Sequence, residues 1–247
     1  MKTTGTLLLI GGTSGIGRAV ALHYAKAGWR VRLAARNLEE VECNANDIAV
    51  RYEAEVTTHV LDILRTDTFE AFVNRLPELP DTVMCVIGWM GSQPQAEVDL
   101  DHAGQVLRSN FEGPALLLSL FAERFAARRA GVIVGFSSVA GDRGRASNYY
   151  YGAAKAGFTA FLSGLRNRLS TTGVRVVTIK PGFVRTKMTA GMVLPACLTA
   201  DPAHVARVVF AAAEDRRADV VYVPGLWRPV MFVIKCLPEM IFKRLHL

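Results

Sequence analysis

The run TLLLIGGTSGIGRAVALHYAKAG, from Thr6 to Gly28, constrains this chain more than any other stretch. An apolar segment, a glycine-rich turn and an amphipathic helix follow one another, the order that a phosphate-binding βα unit requires. Gly11, Gly15 and Gly17 reach backbone angles closed to other residues and let the main chain approach a pyrophosphate. The helix behind them aims its free N–H groups at the anion. A glycine trio without flanking elements is an ordinary turn; here the strand and the helix are both present, and the unit reads as nucleotide-binding.

Further strand-like runs alternate with helical patterns. They lie at 6–10, 30–35, 55–61, 82–87, 131–136, 174–179 and 219–223. This alternation predicts an α/β fold, a single doubly wound domain with a seven-stranded parallel sheet flanked by helices. With 247 residues, 51% of them hydrophobic, the chain is long enough to bury a sizeable core. No internal repeat or long Pro/Gly-rich linker divides it, so residues 1–225 read as one catalytic domain and 226–247 as its amphipathic C-terminal extension.

The stretch YYYGAAKAG places Tyr151 and Lys155 on one face of a helix that Gly and Ala leave free of bulk. A tyrosine serves as a general acid near neutral pH only if its pKa falls well below about 10, and a nearby ammonium favours the phenolate in that way. Ser138 lies upstream in GFSSVAG, at the end of an apolar run.

Taken together, IGGTSGIG at 10–17, Asn110 in SNFEG, Ser138, YxxxK at 151–155 and KPGFVRT at 180–186 make the chain resemble the classical short-chain dehydrogenase/reductases, whose fold is of the Rossmann type. The resemblance implies roles. Tyr151 is the proton donor to a carbonyl oxygen, Ser138 holds that oxygen, Lys155 lowers the Tyr151 pKa and binds the nicotinamide ribose, and Asn110 anchors a water that leads protons to Lys155. It places Gly11, Thr13, Ser14, Gly15, Ile16 and Gly17 around the cofactor phosphates. Pro181, Gly182, Val184 and Thr186 flank the nicotinamide, and Asp62 lies near the adenine. It also implies a homodimer or homotetramer.

Two departures stand out. Ile10 occupies a position where the family usually has Thr. Gly88-Trp89-Met90-Gly91 replaces the usual Asn-Asn-Ala-Gly. Gly88 lacks the side chain that ties neighbouring strands together, so that support is expected from elsewhere, while Gly91 is expected to keep the backbone close to the cofactor.

Cofactor choice is readable at the end of the second strand. NAD-selective members of this fold carry an acid there, whereas this chain offers Ala34, Ala35 and Arg36, with Arg18 just after the glycine turn. Both arginines are expected on a 2′-phosphate, which selects NADP(H).

The net charge of +7 raises nucleic acid as a partner, but no basic helix face interleaved with aromatics appears, and none is expected. Four scattered cysteines without a Cys-x-x-Cys pair, and histidines at no metal-ligand spacing, predict a reduced cytoplasmic compartment and no metal. The short apolar run before the first glycines is too short for a signal peptide.

Two segments carry open readings. Met188, Met192, Val193 and Leu194, in the loop 184–202, either cover an apolar ligand or fill the core beneath the loop. In the tail GLWRPVMFVIKCLPEMIFKRLHL no apolar run approaches the roughly 20 residues needed to span a bilayer. Its Trp227, Met231, Phe232, Ile234, Leu237, Ile241 and Phe242 either dip into a membrane interface, with Arg228, Lys235, Lys243 and Arg244 on the headgroups, or close the pocket or a subunit interface. The tail, the GWMG segment, the helix YGAAKAG, and KPGFVRTKM followed by LTADPAHVA together resemble the subgroup that reduces decaprenylphosphoryl-2-keto-ribose (decaprenylphospho-erythro-pentofuranosid-2-ulose). That likeness implies a lipid-linked ketone substrate, a flavin oxidase partner and peripheral contact with the inner face of the membrane. The function expected is an NADPH-dependent carbonyl reductase. A 3-oxoacyl thioester reductase, a small secondary-alcohol dehydrogenase, and a non-catalytic NADP(H)-sensing scaffold are the alternatives.

Overall fold

A computed structural model of the chain describes residues 5–191, 193–215 and 217–245. Met192 of the expected lid and His246 and Leu247 of the tail lie outside the described residues. Strands β1 (Thr6–Ile10), β2 (Arg30–Ala35), β3 (Val56–Val60), β4 (Thr82–Cys85), β5 (Gly131–Phe136), β6 (Val174–Pro181) and a final strand (Val220–Val223) form one sheet in the order β3-β2-β1-β4-β5-β6 and then that final strand. Every pairing in it is parallel. The seven runs expected from sequence are these seven strands.

Parallel pairing needs both faces covered, and β1 shows how the sequence achieves it. All five of its residues are buried. Leu7 and Leu9 point into one core with Val20 and Tyr24 of α1 (Gly15–Lys26) and with Val205 and Val209 of the helix Pro202–Glu214. Leu8 and Ile10 point into the other, with Phe121 and Phe125 of the helix Gly113–Arg128 and Phe158 and Leu162 of the helix Tyr149–Leu169. Each such side chain contributes roughly 1.5–3 kcal/mol on burial. The alternation of side chains along a strand therefore divides one apolar run between two cores.

Local signals place the elements. Ser14 caps α1 by accepting from the Gly17 N–H, and Asn37 caps α2 (Leu38–Tyr52) through the Glu40 N–H. In chain order the remaining helices are α3 (Phe69–Arg75), α4 (Gln93–Val98), α5 (Leu100–Leu107), α6 (Gly113–Arg128), α7 (Tyr149–Leu169), α8 (Pro202–Glu214), α9 (Trp227–Cys236) and α10 (Glu239–Phe242). A π-turn at Arg108–Glu112 joins α5 to α6 and carries Asn110. Two-residue strands β7 (Phe183–Val184) and β8 (Thr199–Ala200) pair across the base of the loop after β6, so the final strand of the large sheet is β9 (Val220–Val223).

The tail divides differently from its sequence reading. Trp227, Met231 and Phe242 are buried and cannot reach a membrane. Trp227 and Met231 pack with Val139, Phe183 and Ile234 in a small third core. The Trp227 Nε1–H donates to the Leu198 carbonyl. Phe232 and Ile241 are exposed as expected, and Val233 and Met240 join them. No described helix is long and apolar enough to cross a membrane.

Candidate active site

β1 has β2 and β4 as its two neighbours, and the chain builds outward to β3 on one side before it crosses to β4 on the other. That crossing opens a crevice at the carboxyl ends of the strands, where ligands bind in open α/β sheets. Two adjoining cavities fill it and share Thr13, Ser14, Val86, Ile87 and Gly88. The first runs from Gly11 past Ala34, Ala35 and Arg36 to Leu61, Ile63 and Leu64. The second holds Gly15 and Ile16, then Ser138, Tyr151 and Lys155, then Pro181, Gly182, Val184 and Thr186. Residues drawn from seven separate stretches of sequence are thus gathered along one cleft.

The turn between β1 and α1 is built to admit a phosphate group. Gly11 has φ +95, and a Cβ on it would lie 3.0 Å from the Val86 carbonyl oxygen. A Cβ on Gly17 would lie 2.4 Å from the Gly11 carbonyl oxygen. Of Gly11, Gly15 and Gly17 only Gly11 has a positive φ, so Gly17 is required by the close approach and not by its backbone angles; its N–H is taken by Ser14, while Gly15 and Ile16 line the second cavity. A dinucleotide fits this cradle and the elongated cleft that continues from it.

Ser138, at the end of β5, caps the turn that follows through the Ala140 N–H at 3.1 Å. Lys155 is almost fully buried, and its Nζ donates to the carbonyls of Ile87 at 2.9 Å and Phe136 at 3.0 Å. It lies 5.7 Å from the centroid of the Tyr151 ring. Burial governs both titrating groups. It pushes the Tyr151 phenol up to about 12, a rise eased by a hydrogen bond with Ser138. It pushes the Lys155 ammonium down to about 8. The lowered Tyr151 pKa expected from the motif is therefore not present in the chain alone. Lys155 spends its donors on two carbonyls and is itself held toward neutrality by desolvation, so it does not offset the burial of the phenol.

Asn110 is fully buried and uses its side-chain amide on backbone. Its Nδ2 donates to the carbonyls of Trp89 at 2.6 Å and Val106 at 2.8 Å, and its Oδ1 accepts from the Trp89 N–H at 3.1 Å. The support that Gly88 cannot give comes from this double bond to Trp89. A Cβ on Gly88 would have Asn110 Oδ1, Lys155 Nζ and Met188 Cε each at 3.8 Å, so Asn110 reaches in from the π-turn to stand beside the missing side chain.

Three expected cofactor contacts lie away from the cleft. The Arg18 guanidinium pairs with Asp47 at 2.5 Å and Asn44 at 3.1 Å, tying α1 to α2. Asp62 accepts from the Leu64 N–H in its own turn and lines a separate surface groove, leaving Leu61, Ile63 and Leu64 as the walls beside it. Gly91 has φ +63, and a Cβ there would lie 2.7 Å from His102 Nε2, so α5 is what demands glycine at this position. Arg36 remains in the cleft with no ion pair among the described residues. The sequence reading missed Trp89 and Gln105 in the first cavity and Glu40 and Lys187 in the second. Only Trp89 had a signal, the departure at 88–91. Of the expected lid, Met188 lines the cavity while Val193 is fully exposed, neither filling a core nor covering the site.

The family model for short chain dehydrogenases matches residues 5–194. A protein of Mycobacterium tuberculosis described as an uncharacterized oxidoreductase is 34% identical over 253 residues, covering 99% of each chain. Sulfoacetaldehyde reductase 2 of Chromohalobacter salexigens is 32% identical over 188 residues, 74% of each chain. Among solved structures, levodione reductase superposes with a TM-score of 0.82 at 25% identity, over 92% of this chain and 98% of its own. The order of strands, the cleft at the switch point and these matches lead to one conclusion: the chain belongs to the short-chain dehydrogenase/reductase family and is an oxidoreductase.

Proposed function

We propose that the protein is an NADPH-dependent carbonyl reductase whose catalytic residues are Ser138, Tyr151 and Lys155. One observation carries this reading: the three side chains meet in the same cleft as the glycine cradle. A bound dihydronicotinamide supplies the hydride to the carbonyl carbon. Tyr151 donates the phenolic proton to the carbonyl oxygen, Ser138 holds that oxygen, and Lys155 favours the phenolate left behind. Asn110 fixes the Trp89 backbone on the wall opposite. Arg36, unpaired at the end of β2 where an acid would favour NAD, takes the 2′-phosphate.

The substrate reading is an amphiphilic ketone, of the kind carried on a polyprenyl phosphate as a keto sugar. Met188 at the cavity and the exposed apolar residues of the tail support it. Residues 1–225 then carry the chemistry and 226–247 face the lipid at the inner surface of a membrane, with a flavin oxidase as the class of enzyme that supplies the ketone. Exposed Leu107, Phe111 and Leu116, on α5, the π-turn and α6, support a homodimer or homotetramer. The test is a panel of lipid-linked and free keto sugars beside an acetoacetyl thioester, each with NADPH and NADH. Faster turnover of the lipid-linked ketone with NADPH supports the reading. Preference for the thioester assigns the chain to 3-oxoacyl reduction, and no turnover of any member overturns the reductase assignment.

A further inference from the structure

α9 is apolar on both sides. Trp227, Val230, Met231 and Ile234 face the protein, while Pro229, Phe232, Val233 and Cys236 face out. Phe232 is 69% and Val233 60% exposed, and Met240 and Ile241 extend the patch onto α10 at 67% and 47%. An apolar outward side on a helix whose other side is already packed marks a surface that something covers. The rim indicates what. Arg228, Lys235, Lys243 and Arg244 are exposed and form no ion pair among the described residues, and the one acid of the segment, Glu239, is already paired with Arg143. A second copy meeting this face about a two-fold axis would set one cationic rim against another. An anionic lipid surface accepts both the apolar centre and the rim.

The segment is also fastened to the catalytic loop. Arg143 lies in the loop between Ser138 and Tyr151, and its Nη1 donates to the carbonyls of Ile234 at 3.3 Å, Lys235 at 3.1 Å and Leu237 at 2.8 Å. Its Nη2 donates to the Glu239 carboxylate at 2.6 Å, and its guanidinium lies 4.1 Å from the centroid of the Phe242 ring. One side chain thus satisfies the orphan carbonyls at the end of α9 and reaches both elements of the tail. Beside it Asp142 is locked to Lys180 and accepts from the Tyr222 hydroxyl at 2.8 Å. The loop is held by the sheet on one side, through Asp142, and by the tail segment on the other, through Arg143.

We propose that the outer face of α9 and α10 docks on an anionic lipid bilayer, and that Arg143 transmits docking to the loop that joins Ser138 to Tyr151. Arg143 is then a positioning residue, and the consequence for turnover rests on the carbonyl-reductase reading above. The test needs no substrate. The protein is floated with vesicles of phosphatidylcholine and phosphatidylglycerol, beside vesicles of phosphatidylcholine alone, and amide exchange is followed over residues 139–148.

The wild type floats with the anionic vesicles only, and exchange over 139–148 slows several-fold. Phe232→Ser with Ile241→Ser abolishes flotation. Replacement of Lys235, Lys243 and Arg244 by Gln lowers partitioning about five-fold per cation. Arg143→Ala still floats but loses the slowing, and Arg143→Lys, which keeps the charge and loses the planar fork, gives the same separation if the alanine variant fails to fold. A wild type that stays with the soluble fraction, or dimerises through this face in a way that Phe232→Ser dissolves, overturns docking. Equal slowing in wild type and Arg143 variants overturns the coupling. A protein that floats and slows as expected yet reduces no ketone leaves this inference standing and removes the reductase reading.

Discussion

In the proposed mechanism Lys155 is the residue on which the chemistry and the pH dependence both turn. Its folded pKa, about 8, lies below the unfolded value of about 10.4. The buried ammonium therefore costs stability at every pH below about 8, and the cost fades as pH rises toward the unfolded value, the window in which the unfolded chain binds more protons. Activity runs the other way. The proposed ketone reduction would need a charged Lys155 beside a protonated Tyr151, so kcat/KM measured against pH is expected to hold level in the acid range and decline above about 8. A profile that stays level well above that point removes Lys155 from the mechanism. Tyr151→Phe lowers turnover at least about a hundred-fold while NADPH titration by fluorescence is unchanged, whereas Lys155→Ala impairs both. Arg36→Asp weakens NADPH about ten- to a hundred-fold, the range of one charge-assisted hydrogen bond, and brings NADH level with it. Equal wild-type affinities for the two cofactors would contradict the role given to Arg36. Arg18 shows why such assignments are hard to read from sequence: its partners Asn44 and Asp47 lie on α2, and only the packing of two helices brings them within reach.

Elements were more legible than contacts. The strands were readable because parallel strands buried on both faces appear as short apolar runs, and β1, buried throughout, is the clearest of them. β7 and β8, two residues each, leave no periodicity to detect. The inward side of α9 was hidden for the opposite reason: apolar residues stand on both its packed and its outward side, with only Arg228 and Lys235 as a narrow polar strip, so the pattern does not tell Trp227 and Met231 from Phe232. The anchor of the β5–α7 loop was likewise invisible, since Asp142, Lys180 and Tyr222 come from three distant segments. Asp142→Ala strands Lys180 in a buried site and is expected to cost about 3–5 kcal/mol in denaturant unfolding. Trp227→Ala opens a cavity in the third core and costs a similar amount, about 3–5 kcal/mol.

At the scale of the whole molecule the positive charge is less available than its count suggests. Arg128 donates to the carbonyls of Leu79, Pro80 and Ala130, Arg166 to those of Val176 and Asp219, and Arg175 to three at the end of α8. These guanidinium groups serve as caps for loops and helix ends, with their donors spent on backbone carbonyls. Duplex DNA at physiological salt is accordingly expected to bind no tighter than about 10⁻⁴ M, the weak end of non-specific binding. Gel-shift titration with a measured micromolar affinity would contradict this account of where the charge resides.

The fastening of the loop after β5 to the tail through Arg143 also bears on how the chain matures. Synthesis delivers the cradle, β1 to β5 and the helices that cover them before residues 227–242 exist, and domains begin to fold from the N-terminal side. Until the tail arrives, Arg143 has none of its acceptors, and the space beside Gly182 that the Trp227 ring fills is open. On the proposed reading, a nascent chain that still lacks residues 227–242 grips its cofactor and has no organised site for the ketone. In that reading, acquisition of the nucleotide and acquisition of activity become separate events in the life of the molecule, divided by the synthesis of residues 227–242.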